Sequence, residues 1–190
     1  MVYKCRLPDG NISLGQENLI FRARTLNRDL ATWLTLYLYS LYGGYANHDL
    51  IEEKLNQLPF EFGNMMKLIF GERAAEGYIT MFSNYITILE NLFHAQLSGD
   101  TNASNEYIKQ LYENVDQVSA YLAQINPFWQ ESIWKTLLIS FNDMILENYR
   151  QNIDIFDRLL SQSSVIGDYF SEGIYNYLIY SSKSISSSTI

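Results

Sequence analysis

Cysteine, proline and positive charge are all scarce in this chain of 190 residues. The single cysteine, Cys5, excludes an internal disulfide, and a lone thiol without histidine partners is not a catalytic pattern. Three prolines in the whole chain favour long helices over a loop-rich β fold. Thirteen basic and 21 acidic residues give a net charge of −8, which argues against a nucleic-acid partner because phosphate neutralisation needs clustered Lys and Arg.

Long hydrophobic runs are also missing, and the nearest approach to one extends from Leu30 to Asn47 without a charged residue. At 1.5 Å per residue this run measures about 27 Å as a helix, slightly short of a hydrocarbon core, and it contains tyrosines, threonines and two glycines. We therefore predict a buried helix and no membrane span. Leu36 and Tyr39 lie off its main apolar stripe and predict contact with a second helix layer or another subunit, hence a homodimer.

Apolar residues recur every three or four positions in most of the remaining sequence, which predicts α-helices and no confident strand. The fold class predicted is an all-α, up-and-down antiparallel bundle of five to six helices, with helix 2 kinked or broken at Pro59. The predicted helices span residues 17–42, 48–70 and 72–98, a fourth from Thr101 or Asn102 to the break at Pro127, a fifth around Trp134–Ile145 and a sixth around Phe156–Tyr177.

The predicted domain organisation is an irregular N-terminal arm over residues 1–16, one helical-bundle domain over 17–180 and a Ser-rich flexible tail over 181–190. The segment ENYRQN between the fifth and sixth helices is compatible with a turn or with a continuous helix. Lys4 and Arg6 are followed by LPDGNISLGQ and not by an apolar stretch, so we expect a cytoplasmic protein without a signal peptide.

Histidine is too rare for a histidine-rich metal site, since the chain contains two. A di-iron bundle needs Glu-x-x-His pairs on two helices, and this sequence instead has His48 with Glu52 and Glu90 with His94 at i, i+4. No serine lies beside a plausible histidine base. We therefore predict no metal, no cofactor, no catalytic residue and no enzyme.

Two functions remain compatible with these residues. The first is a non-enzymatic helical bundle that acts through self-association or partner binding. The alternative is a bundle that binds a small ligand or metal in a pocket between helices 1, 3 and 5, lined by Tyr37, Tyr85, Glu90 and Asn142.

Several short motifs resemble those of an uncharacterised family of small helical proteins of spore-forming Gram-positive bacteria. The family pattern Y-x-N-x-D followed by N-P-x-W is similar to LYENVDQVSAYLAQINPFW here, and its G-N and G-E elements to FGNMMKLIFGE. The matching residues are Tyr112, Asn114, Asp116, Asn126, Pro127 and Trp129, then Gly63, Asn64, Gly71 and Glu72, with Gly173 in the later SEGI.

The resemblance implies an all-helical bundle and no established activity. It covers roughly residues 26–178. Members of the family often carry a histidine in each of the first, third and fifth helices, at positions that a rough alignment matches to Leu30, Tyr85 and Phe141. If those histidines form a metal or ligand site, the resemblance implies that this chain has lost it.

Overall fold

The computed structural model describes residues 13–44, 47–147 and 153–186. This part of the chain folds into six α-helices and contains no strand, which confirms the all-α bundle. The helices are α1 (Leu14–Gly43), α2 (His48–Phe70), α3 (Glu72–Ser98), α4 (Thr101–Ile125), α5 (Glu131–Leu146) and α6 (Ile153–Ser186). None of these helices combines the length and apolar character needed to cross a membrane.

The six helices form a closed ring in which each packs against its neighbours in the chain and α6 returns to α1. Cross-helix bonds show that neighbours run antiparallel. Arg22 near the start of α1 pairs with Glu61 late in α2, whereas Ser40 near the end of α1 contacts His48 at the start of α2. This antiparallel order follows from the short connections, because a few residues cannot carry the chain back along the length of a helix.

The first helix begins earlier than the sequence interpretation placed it. Ser13 accepts a hydrogen bond from the backbone N–H of Gln16, and the Gln16 side chain accepts one from the backbone N–H of Ser13, at 3.3 and 2.9 Å. This reciprocal capping box starts α1 at Leu14, inside the segment predicted as an irregular arm. Ser13 and Gln16 form an S-x-x-Q capping pattern in the sequence, but Gly15 between them is unfavourable in a helix and argues against a helix start here. Residues 1–12 lie outside the described residues.

The second helix is continuous through Pro59 and is not split there. Leu55, Leu58 and Phe62 are all buried on either side of the proline, so tertiary packing stabilises the helix on both sides despite the lost backbone hydrogen bond. A kink at this position stays a prediction. Asn47 occupies the N-cap position with φ 75°, and its side chain makes no capping hydrogen bond.

The last helix is longer than predicted, because α6 continues to Ser186 into the segment predicted as a flexible tail. Serine is only mildly unfavourable in a helix, so a Ser-rich end does not by itself stop one. Residues 187–190 and most of ENYRQN, residues 148–152, fall outside the described residues. The backbone of α5 ends at Leu146, and α6 begins at Ile153.

Small residues on α6 let it approach α1 closely. A Cβ on Gly167 would lie 3.1 Å from Cα of Arg24, and the Ser171 hydroxyl donates to the carbonyl of Ile20 at 3.1 Å. Ser163 stands one turn earlier on the same face. This close approach joins the last helix to the first and closes the ring.

The N-P-x-W motif forms the connection between α4 and α5. Oδ1 of Asn126 accepts the backbone N–H of Phe128 at 3.1 Å, and the backbone N–H of Trp129 donates to the Asn126 carbonyl at 3.0 Å. The Trp129 indole, 2% exposed, then rests directly against Gly173 of α6, where a Cβ would overlap it. Pro127 is exposed.

Packing or backbone conformation accounts for two glycines of the other motif. Gly63 packs beneath Ile79, and Gly71 has φ 86° between α2 and α3, where the left-handed region favours glycine. Asp116 pairs with Lys135 at 3.1 Å, and Asn64 is exposed.

Candidate functional site

A cavity of about 60 Å³ lies inside the ring, and every helix contributes to its lining. At about 15 Å³ per water this space holds roughly four waters, or one molecule about the size of a six-membered ring. Most of the lining is apolar and aromatic. The amide and hydroxyl side chains among the lining residues are Asn27, Tyr78, Tyr85, Asn114, Asn142 and Ser163.

Tyr85 of α3 and Asn142 of α5 meet at this cavity. The Tyr85 hydroxyl donates to Oδ1 of Asn142 at 2.9 Å. Burial raises the pKa of Tyr85, with nearby Tyr78 raising it further, so the phenol stays protonated and remains a donor. Two of the four residues predicted to line a pocket between the first, third and fifth helices are therefore in direct contact.

Two residues of the cavity lining each carry a buried hydrogen-bond donor that has no acceptor among the described residues. Nδ2 of Asn142 and Nε1 of Trp134 are buried without a partner, and each of these residues is 1% exposed. A buried donor left unpaired costs about 1–3 kcal/mol, so native proteins normally satisfy it with protein, water or ligand. Asn142 is held in place by Tyr85 and still has an unpaired donor.

Three other polar side chains of the lining donate to backbone carbonyls. Nδ2 of Asn114 donates to the carbonyl of Met81 at 3.1 Å, and Nδ2 of Asn27 to that of Ala23 at 2.8 Å. The Ser163 hydroxyl donates to the carbonyl of Leu160 at 2.8 Å. The Asn114 bond joins α4 to α3, whereas the other two bonds lie within α1 and α6.

Five aromatic rings of the cavity lining form a continuous series of contacts. Ring centroids are 5.8 Å apart from Trp134 to Phe170, 6.1 Å from Phe170 to Phe62, 5.2 Å from Phe62 to Phe82 and 6.0 Å from Phe82 to Tyr85. Such edge and tilted contacts stabilise aromatic pairs beyond simple area burial. No Asp, Glu, Lys, Arg or His occurs among the described lining residues, so the interior is uncharged.

Tyr37 and Glu90, the other two residues of the predicted pocket, lie away from the cavity. They belong to a polar cluster where α1, α2 and α3 meet. Oε1 of Glu90 accepts from Nδ2 of Asn56 at 2.7 Å, and the Tyr37 hydroxyl lies 3.5 Å from Nε2 of His94. Burial raises the pKa of both Tyr37 and Glu90. The structure therefore brings Tyr85 and Asn142 together at the cavity and places Tyr37 and Glu90 in a separate cluster.

Ser40 and His48 meet in the same cluster, a serine–histidine contact that the spacing of the sequence did not indicate. The Ser40 Oγ is 2.7 Å from Nδ1 of His48 and also 2.7 Å from the carbonyl of Tyr37. The carbonyl can only accept, so it takes the hydroxyl proton, and Nδ1 must then donate to Oγ. In this arrangement the histidine does not act as a base towards the serine.

Metal binding gains no support from the acidic and histidine pairs. The described part of the chain contains no group of three or more His, Cys, Asp or Glu side chains that could hold a metal ion.

Leu30, Tyr85 and Phe141, the positions matched to the histidines of the resembling family, all line the central cavity. Their convergence on one space could not be read from the periodicity of any single helix. Comparisons with protein-family models, with curated proteins and with solved structures each return no match to this chain.

Proposed function

We propose that the protein binds a small molecule in the cavity inside the six-helix ring. The observation that carries this proposal is the uncharged, largely aromatic cavity of about 60 Å³ to which all six helices contribute. The cavity itself interrupts close packing, which is otherwise the rule in a protein interior.

The proposal is binding and not catalysis. Catalysis by acid–base or nucleophilic routes needs a group that can take up a proton or attack, positioned by a partner. The cavity offers amides, phenols and one serine hydroxyl, and that hydroxyl, on Ser163, donates to a backbone carbonyl. We place the protein in the cytoplasm, consistent with its single cysteine.

The proposal is tested by comparing ligand binding between the natural protein and a variant whose cavity is filled. Val118 of α4 lines the cavity, and Val118→Phe would fill it from within without changing the outer surface. Small aromatic fragments at ten times their Kd should stabilise the natural protein by about 1.4 kcal/mol, or about 3–6 °C in Tm, and should leave the variant unchanged. Equal shifts in both proteins would place binding elsewhere and contradict the proposal.

A second candidate function, self-association as a homodimer, is supported by the outer face of α1. Leu14, Phe21, Leu36 and Tyr39 are spaced by nearly whole helical turns and therefore share one side of the helix. Their exposed fractions are 73%, 54%, 41% and 41%. Removing such a face from water would favour a second copy packed against it.

Sedimentation equilibrium tests this association. Leu36→Glu places a charge on this face and should shift a dimer towards monomer. The matched control is Leu97→Glu on α3, because Leu97 is an exposed leucine (51%) on another helix. A natural protein that is monomeric at high concentration, or a dimer that tolerates Leu36→Glu, would refute association through α1.

A further inference from the structure

Tyr78 of α3 lines the cavity, and its hydroxyl makes no hydrogen bond with any of the described residues. The residue is 8% exposed. A phenol can donate one hydrogen bond, and native proteins normally satisfy such a group when it is buried. The Tyr78 hydroxyl is therefore open to a partner from outside the described chain, either a water or a ligand.

The neighbours of Tyr78 place this hydroxyl inside the bundle. Its ring centroid lies 5.9 Å from that of Phe62, 5.8 Å from that of Phe82 and 6.5 Å from that of Phe170, and all three rings belong to the cavity lining. Burial raises the pKa of Tyr78, so the phenol stays protonated and can donate. Because the hydroxyl is deep in the protein, the surface that it keeps faces the cavity and not bulk water.

The unpaired N–H groups of Asn142 and Trp134 differ from the Tyr78 hydroxyl in access. Packed protein atoms shield Nδ2 of Asn142 and Nε1 of Trp134, so a molecule in the cavity cannot touch either nitrogen. The Tyr78 oxygen is unpaired as well, but it is not one of the shielded atoms. A polar atom of a ligand can therefore pair with Tyr78 and not with these two nitrogens.

The remaining donors of the lining already bond within the protein. Asn27, Asn114 and Ser163 each donate to a backbone carbonyl, and the Tyr85 hydroxyl donates to Oδ1 of Asn142. Among the described residues, the lining therefore offers one unused hydroxyl donor in a largely apolar space. A ligand with several polar groups would lose the hydration of each and regain few hydrogen bonds.

We infer that the Tyr78 hydroxyl binds the ligand of this cavity, and that this ligand is an uncharged molecule of about one six-membered ring with a single hydrogen-bond acceptor. The acceptor receives the hydrogen bond of the Tyr78 O–H, and the rest of the molecule fills apolar space. A charged group would lose its hydration without gaining a counter-ion, because no described lining residue carries a formal charge. This inference rests on the proposed binding function and specifies its ligand class and recognition residue.

Two pairs of probes separate these requirements. Pyridine and benzene have the same shape, but pyridine carries one acceptor. N-methylpyridinium and toluene are also matched in size, but N-methylpyridinium carries a positive charge. Affinities are measured by calorimetry or ligand-detected NMR at mildly alkaline pH, where pyridine is neutral. We expect pyridine, benzene and toluene to bind the natural protein, and N-methylpyridinium to bind at least about 100-fold more weakly than toluene.

Tyr78→Phe tests the hydroxyl itself, because it keeps the ring and removes only the oxygen. Pyridine should bind this variant about 5- to 100-fold more weakly than the natural protein, since its buried nitrogen is left unpaired, whereas the affinity of benzene should change by less than about 2-fold. Tyr85→Phe is the matched control, because it removes a cavity hydroxyl that is already bonded to Asn142. It should leave the ratio of the pyridine and benzene affinities unchanged.

The outcomes separate this inference from the proposed function. If Tyr78→Phe binds pyridine as tightly as the natural protein does, or if N-methylpyridinium binds as tightly as toluene, the inference is overturned and the binding function stands. If none of the four probes binds but another fragment does, and Val118→Phe blocks that fragment, the ligand class alone is wrong. If no fragment binds in the cavity, both the ligand class and the binding function fail.

Discussion

Gly173→Ala should destabilise the protein although alanine is the better helix former. In an unobstructed helix this exchange gains about 1 kcal/mol. Here the new Cβ would lie too close to three atoms of the Trp129 indole. Trp129 cannot move aside, because its ring centroid is 5.4 Å from that of Phe70, 5.7 Å from that of Trp134 and 4.8 Å from that of Phe170.

The magnitude follows from these opposing effects. Overpacking a well-filled core costs about 1–3 kcal/mol, and overlap with a rigid buried ring belongs at the upper end. After the gain in helix propensity, we expect a net loss of about 1–2 kcal/mol, equivalent to a Tm lower by about 3–6 °C for a chain of this size. Urea unfolding followed by circular dichroism and by tryptophan fluorescence measures it.

Gly15→Ala is the matched control, because a Cβ at Gly15 in the first turn of α1 would meet only the Ser13 hydroxyl, at 3.9 Å. It should leave stability unchanged or raise it by up to about 1 kcal/mol. If Gly173→Ala proved as stable as Gly15→Ala, the close packing of Trp129 on α6 would be refuted.

The remaining predictions concern single polar groups. Ser13→Ala should cost about 1 kcal/mol in urea unfolding through loss of the α1 cap, and an unchanged midpoint would contradict the capping box. Tyr85→Phe should cost about 1–3 kcal/mol, because it leaves the buried Oδ1 of Asn142 without its donor; a neutral effect would mean that water or a ligand replaces the phenol. Burial raises the pKa of Glu90 above its ordinary 4.5, while the hydrogen bond from Asn56 lowers it. The folded state therefore favours the protonated acid, and stability is lost as pH rises through the raised pKa. Glu90→Gln should stabilise the protein at pH 7 by less than about 1 kcal/mol, since the carboxyl is half-exposed, and the gain should vanish below pH 4.5; a gain that persists in acid would contradict this origin.

Helix content and most helix boundaries could be predicted from the sequence because they depend on local spacing. The seam of α4, for example, places Leu111, Val115, Val118 and Leu122 on one face, and all are buried. Ser13 and Gln16 also indicate the helix start at Leu14, but Gly15 between them favours an irregular segment. At Pro59 the local signal predicted a kink or a break; packing of the flanking leucines kept the helix continuous.

The candidate site could be predicted only in part. The sequence interpretation assigned Tyr85 and Asn142 to one pocket, and they do meet. It assigned Tyr37 and Glu90 to the same pocket, but these two residues lie at another junction, between α1, α2 and α3. Trp134 was assigned to the core, and nothing in its sequence context shows that its indole N–H lacks an acceptor.

The sequence by itself determined that this chain forms amphipathic helices with an uncharged interior, because each helix carries its own apolar stripe. Only the tertiary structure decided that six of them close into a ring, and that small residues such as Gly167 bring α6 onto α1. A cavity is a property of several helices at once: it depends on how side chains from all of them fail to fill a shared space. In the same way, the side-chain N–H groups of Asn142 and Trp134 can be recognised as unpaired only when the neighbours of both residues are known.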